Sequence, residues 1–178
     1  MSLGPYTVWA PDAQRVDLVI DGEGGPTGEP MTRVTDARPG HAGWWRSETP
    51  RFAGTRYGFA LDGGEPLPDP RSLSQPDGPF GLSEVVDTAD LAWSDDGWAG
   101  VPLRGAVIYE LHVGTFTEEG TFDAAVARLD HLVDLGVTLV EVMPVATYPG
   151  ERGWGYDGVL PYAPDAGPAW DSRWWRSA

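Results

Sequence analysis

Residues 106–144 read AVIYELHVGTFTEEGTFDAAVARLDHLVDLGVTLVEVMP, a stretch in which two strand patterns flank a complete helix pattern. Ala106 to Val113 is rich in β-branched and aromatic residues, is apolar except for Glu110 and His112, and lies between Gly105 and Gly114. That pattern predicts a strand buried on both faces. Thr121 is placed to cap a helix, and Asp123 follows in the first turn, where the helix dipole favours negative charge. Phe122, Ala125, Val126, Leu129, Leu132 and Val133 then recur at three- and four-residue spacing, which puts them on one helix face. Gly136 supplies a left-handed C-terminal cap. Val137 to Met143 forms a second apolar run, ended by Pro144, which has no amide hydrogen to offer a ladder. Two short strands joined by one helix are expected to be parallel, with a right-handed crossover.

Working outward, the 90 or so residues upstream contain no helix pattern. Short alternating or aromatic runs occur at Tyr6 to Ala10, Val16 to Asp21, Gly43 to Glu48 and Thr55 to Leu61. GEGGPTGEP, DARPG and LDGGEPLPDP, which lie between runs or just after them, read as loops by composition. A small antiparallel sandwich is the expected result. Leu91 to Gly105 is polar and glycine-containing and reads as an interdomain connection pinned by Trp93 and Trp98. The expected division is therefore a sandwich over 1–90, a linker over 91–105, an α/β unit over 106–164 and a tail over 165–178.

Composition narrows the partners. The chain of 178 residues is 41% hydrophobic, which suits a soluble globular protein of one ordinary domain or two small ones. Its 27 acids against 12 basic residues, all of them arginine, give a net charge of −15, which repels phosphate backbones, so no nucleic-acid partner is expected. A solvated acidic surface explains the charge without any basic partner. No apolar run is long enough to span a bilayer, and the opening MSLGPYTVWAP lacks the basic segment and hydrophobic core of a secretory signal, so a cytoplasmic location is expected. There is no cysteine, and His41, His112 and His131 have no ligand spacing, so neither a metal nor a cofactor is expected. Nine tryptophans suit either sugar-ring stacking or core filling.

VIYELHVGTF, GTFDAAVARLDHLVDLGVTLVEVMPV and GWGYDGV, in this order, resemble the opening of the catalytic barrel in the alpha-amylase superfamily of glycoside hydrolases. Within it they resemble the malto-oligosyltrehalose trehalohydrolases. YTVWAPDAQRVDLVI, GWWRSE and GTRYGFALDG resemble the immunoglobulin-like domain that precedes the barrel in trehalohydrolases and in glycogen branching and debranching enzymes. DPRSLSQPDGPFGLSEVVD favours the trehalohydrolase branch, although Pro79-Phe80-Gly81-Leu82 departs from its pattern. The resemblance spans roughly residues 6 to 164 and implies a multidomain β plus α/β protein: an immunoglobulin-like β-sandwich, then the first β-α-β unit of an incomplete (β/α)8 barrel. DAGPAWDSRWWRSA, residues 165–178, matches nothing in the family.

Retaining glycosidases hold two carboxyl groups about 5–5.5 Å apart, one as nucleophile and one as acid and then base. The resemblance places the family's aspartate, glutamate and second aspartate on the fourth, fifth and seventh barrel strands, which this chain does not reach, so no catalytic residue is assigned. Glu110 and Glu141 lie on adjacent predicted strands and could share the barrel interior, but a hydrogen-bonded ordering role accounts for them better. GWGYDG is the best site candidate: the family's tyrosine here packs against the sugar ring beside the scissile bond, and its match is Tyr156, flanked by Trp154 and Asp157. A turn with packing aromatics is the alternative. His112, at the end of the first strand, either faces the pocket or is an interior hydrogen-bonded histidine.

The expected function is that of the amino-terminal portion of a trehalohydrolase-like enzyme, which in full cleaves an α-1,4 bond to release trehalose without a cofactor. An α-glucan or malto-oligosyltrehalose is the expected partner, and the 178 residues alone are expected to be inactive. A stand-alone glycan-binding module, a non-functional truncation product and a branching-enzyme-like portion remain as rivals.

Overall fold

The computed structural model of the chain describes residues 5–35, 42–89, 95–150 and 156–165. Seven strands come first: β1 (Tyr6–Trp9), β2 (Val16–Gly22), β3 (Gly25–Pro30), β4 (Thr32–Arg33), β5 (Trp44–Ser47), β6 (Arg56–Leu61) and β7 (Ser83–Glu84). They form two antiparallel sheets, ordered β1-β5-β4 and β3-β2-β6-β7. Tyr6, Val8 and Trp45 of the first sheet share one buried cluster with Val16, Leu18, Tyr57 and Phe59 of the second, so the sheets pack face to face. Fully burying side chains such as Leu18 and Phe59 contributes about 1.5–3 kcal/mol each.

All four strand runs of this region appear close to their expected bounds, but GEGGPTGEP is not a loop. β2 runs on to Gly22, Glu23 and Gly24 turn the chain, and Gly25 to Pro30 return beside it as β3, with Gly25 at φ +92°. Composition misled because Pro26 and Pro30 are strand breakers only where a neighbour needs their amides, and β3 is the outermost strand of its sheet. DARPG lies outside the described residues, and LDGGEPLPDP is mostly loop, touching the sheet through the Phe59–Leu67 bridge.

The segment after β6 is tied down by buried polar groups. Tyr57 Oη donates to Asp69 Oδ2 at 2.9 Å, and Ser83 Oγ accepts from the Asp69 amide at 2.9 Å and from Gln75 Nε2 at 2.6 Å. Ser72 Oγ donates to the Ser74 carbonyl at 2.7 Å. Asp69, Ser72, Gln75 and Ser83 are all buried, where polar groups left without partners are expensive. Residues 69–84 thus owe their path to this network rather than to a regular ladder.

The second half contains β8 (Ile108–Leu111), α1 (Val113–Phe116), α2 (Phe122–Val126), α3 (Leu129–Asp134), β9 (Leu139–Val142), β10 (Ala146–Thr147) and β11 (Leu160–Pro164). β8 and β9 are parallel, with Ile108 opposite Leu139 and Leu111 opposite Val142. The N-cap is as expected: Thr121 Oγ1 accepts from the Ala124 amide at 3.2 Å. The C-terminal end is a Schellman turn, with Gly136 at φ +82° and its amide bonded to the Val133 carbonyl at 2.9 Å, and the Val137 amide bonded to the Leu132 carbonyl at 3.0 Å.

Three expectations are corrected. The helix is split into α2 and α3 at Ala127 and Arg128, whose backbone leaves helical geometry at ψ 4°. The strand over Ala106 to Val113 is shorter and exposed: Val107 and Ile108 are 50% and 47% accessible, because only Leu111 and its surroundings pack against the helical side. Trp98 is 70% exposed and pins no linker, while Trp93 lies outside the described residues, as do Trp154 and the tryptophans of the tail. No described helix is long and apolar enough to cross a membrane.

Candidate functional site

His112 sits where β8 gives way to α1. Its backbone is still extended at φ −93°, ψ 110°, and its carbonyl accepts from the Phe116 amide at 3.0 Å, so it ends the strand and starts the helix at once. The next two glycines make room for its ring. A Cβ at Gly114 would lie 3.1 Å from His112 Cε1, and a Cβ at Gly120, which has φ +65°, would lie 3.0 Å from the Gly114 carbonyl oxygen. Close backbone approach of Gly120 to Gly114 therefore fixes the loop that holds the imidazole.

This ring lines an open concavity of about 770 Å³, within the about 300–1,000 Å³ of typical ligand pockets. Glu110 and Glu118 supply acceptors, Arg128 donors, and Thr115, Thr117 and His131 groups that do both. Tyr109 and Phe116 form an edge-to-face pair with centroids 6.1 Å apart on the same wall. The sequence left His112 either facing the pocket or interior and hydrogen-bonded; here its ring lines this concavity. Arg128 and His131 were not among the site residues expected from the sequence; both fall off the apolar stripe of the 121–136 pattern.

Glu110 stands directly opposite Glu141 in the parallel register, and both are exposed. Alternation along the strands puts this pair on the face opposite Leu111 and Val140, which pack toward the helical side. Adjacent strands do bring the two carboxylates onto one face, as their positions suggested.

Tyr156 and Asp157 lie in the long connection between β10 and β11 and are both exposed, Tyr156 at 68%. Neither lines the His112 concavity. Trp154, the third member of the motif, falls outside the described residues. One glycine of the motif has a clear reason: a Cβ at Gly158 would lie 2.6 Å from Ala146 Cβ, so only glycine lets the loop return against β10. Among the described residues, no group of three or more His, Asp or Glu is placed to hold a metal ion.

Two packed sheets followed by a parallel pair with a helical crossover are shared with solved alpha-amylase-type enzymes. A putative alpha amylase from Salmonella typhimurium superposes with a TM-score of 0.80 at 44% identity, over 93% of this chain and 26% of its own. A pullulanase from Anoxybacillus sp. LM18-11, solved with maltotetraose, shares the fold with a TM-score of 0.76 at 24% identity, over 92% and 28%. More narrowly, the chain matches the amino-terminal portion of the malto-oligosyltrehalose trehalohydrolases. It is 52% identical to that of Arthrobacter ramosus and 48% to that of Mycobacterium tuberculosis strain H37Rv, in each case over 92% of this chain and 28% of the relative. The branching enzyme GlgB of Corynebacterium jeikeium is 32% identical over 90% of this chain and 24% of its own. No protein-family model matches. The chain thus spans about a quarter of the length of the relatives it matches.

Proposed function

We propose that the chain forms the amino-terminal portion of an α-glucan-processing glycoside hydrolase whose substrate is a malto-oligosyltrehalose and whose product is trehalose. In this reading the two packed sheets are the immunoglobulin-like domain, over 1–90, and residues 106–164 are the first unit of a (β/α)8 barrel, joined by the linker over 91–105. The observation that carries it is the 52% identity with the trehalohydrolase of Arthrobacter ramosus, sustained over 169 residues across both halves. The 32% match to a branching enzyme is weaker over a similar span.

The barrel rim at the C-terminal ends of the strands is where such enzymes bind substrate. Here that rim carries His112 after β8 and the Tyr156 loop after β10. Tyr156, with Trp154 and Asp157 beside it, is assigned the face of a glucose ring; its 68% exposure leaves the phenol free to meet one. The catalytic carboxylates are assigned to the parts of the relatives that this chain does not span. The proposal includes a cytoplasmic location, and recovery of the protein outside the cytoplasm on cell fractionation would end that part of it.

A chimera tests the reading. These 164 residues from the start of the chain replace their counterparts in the Arthrobacter ramosus enzyme, and trehalose release from malto-oligosyltrehalose is measured. Release is expected, with Tyr156→Ala lowering kcat/KM at least about tenfold, or about 1.4 kcal/mol of transition-state binding. A folded chimera that cleaves nothing, or that branches α-glucan instead, overturns it.

A further inference from the structure

We propose that a second recess, on the packed sheets and unrelated to the Tyr156 loop, binds a small neutral polyol, such as one sugar ring. Its volume is about 260 Å³, below the about 300–1,000 Å³ of pockets for larger ligands, so it suits one ring rather than a chain. Arg51, Arg71, Asp69 and Glu84 line it, with Tyr57 and Leu73 between them.

These four charged groups are held in place by other contacts. The Arg71 guanidinium lies 4.8 Å from the Trp44 ring centre and donates to the Thr7 carbonyl at 2.6 Å. Arg51 lies over the rings of Tyr6 and Tyr57, at 5.3 and 5.9 Å. Asp69, 7% exposed, accepts from Tyr57 Oη at 2.9 Å and from the Arg71 amide at 2.8 Å. Glu84 Oε2 pairs with Arg56 Nε at 3.2 Å. Each carboxylate oxygen can accept two hydrogen bonds, so acceptors remain on Asp69 and Glu84, and the Arg71 guanidinium has five N–H groups, so donors remain on it beyond those given to Thr7.

Their balance names the ligand class. Two cations and two anions face the recess, so neither an anion nor a cation gains a net field there. A hydroxyl both donates and accepts, and adjacent hydroxyls on a ring can bridge carboxylate and guanidinium together. Fixed side chains also lose little entropy when such a ligand arrives.

Titration of the whole chain with glucose, maltose and trehalose, followed by saturation-transfer NMR, tests this, with inorganic phosphate as competitor. Saturable binding in about the millimolar range is expected. Arg51→Gln should weaken it at least tenfold, Leu73→Trp should block it by bulk without removing a charge, and in Tyr156→Ala the Tyr57 ring signals should still respond to the sugar. Folding of each variant is checked by circular dichroism. Absence of saturable binding overturns the proposal, as does binding that phosphate displaces or that survives both Arg51→Gln and Leu73→Trp in folded protein. Loss of binding in Tyr156→Ala alone assigns the sugar to the loop and likewise overturns it. The chimera's trehalose release does not depend on this recess, so the two readings fail separately.

Discussion

Tyr57 gives its hydroxyl proton to Asp69, across 2.9 Å, in a part of the packed sheets where both residues are buried. Tyr57→Phe leaves a buried carboxylate short of a donor, and a loss of about 1.5–3 kcal/mol is expected, read from urea unfolding. The same pair sets an alkaline limit. Burial, then the charge and hydrogen bond of Asp69, hold the Tyr57 phenol well above its ordinary value of 10.0. Below that pH both folded and unfolded chains keep the proton, and stability is fully present. Above about pH 10 the unfolded chain releases a proton that the folded one retains, so stability falls as pH rises. Tyr57→Phe should flatten that decline, although Tyr6, also raised by burial, keeps part of it. An unchanged slope from pH 9 to 11 would refute the assignment.

The helix ends of the second half offer a local test. Thr121→Ala removes the bond to the Ala124 amide and should cost about 1 kcal/mol. Gly136→Ala forces a side chain to φ +82° and should cost about 1–2 kcal/mol. Native-state hydrogen exchange should show faster amides in α2 and α3 for both variants, with β2 and β6 unaffected. Equal acceleration in both halves would mean that the two do not open independently.

Gly114→Ala places a methyl 3.1 Å from His112 Cε1, so the ring must shift by a few tenths of an ångström. The His112 imidazole NMR signals are expected to move, while those of His131, on α3, stay. If His112 is unmoved, the glycine does not position it.

Facing carboxylates on neighbouring strands repel each other. Glu141→Gln, opposite Glu110, should therefore raise stability by up to about 1 kcal/mol at low salt. In about 1 M salt, where screening reaches about 3 Å, the gain should shrink. A loss of stability at either salt would indicate that the pair is held by attraction instead.

Much of this was readable from residues. Thr121, Asp123 and Gly136 announced the helix ends because capping is local chemistry, and the alternating or aromatic runs announced β1, β2, β5 and β6. What stayed hidden depended on neighbours. Whether Pro26 and Pro30 break a strand depends on which edge they occupy. Whether Ile108 is buried depends on what packs against it, which apolar content alone does not reveal. Asp69, Gln75 and Ser83 belong to a buried polar network whose bonds span 8 to 14 residues of sequence, which composition does not reveal. His112 was singled out because it ends a strand; His131 was set aside because the three histidines have no ligand spacing.

The two prolines of β3 have a consequence for how molecules of this chain meet. An outer strand with two missing donors is a poor template for a further strand, so that sheet resists growing by edge-to-edge addition. β8 and β9 carry no proline and, among the described residues, pair only with each other. Crowded solutions of the chain should therefore begin to aggregate from its second half, and the first half should remain the last ordered part inside the precipitate.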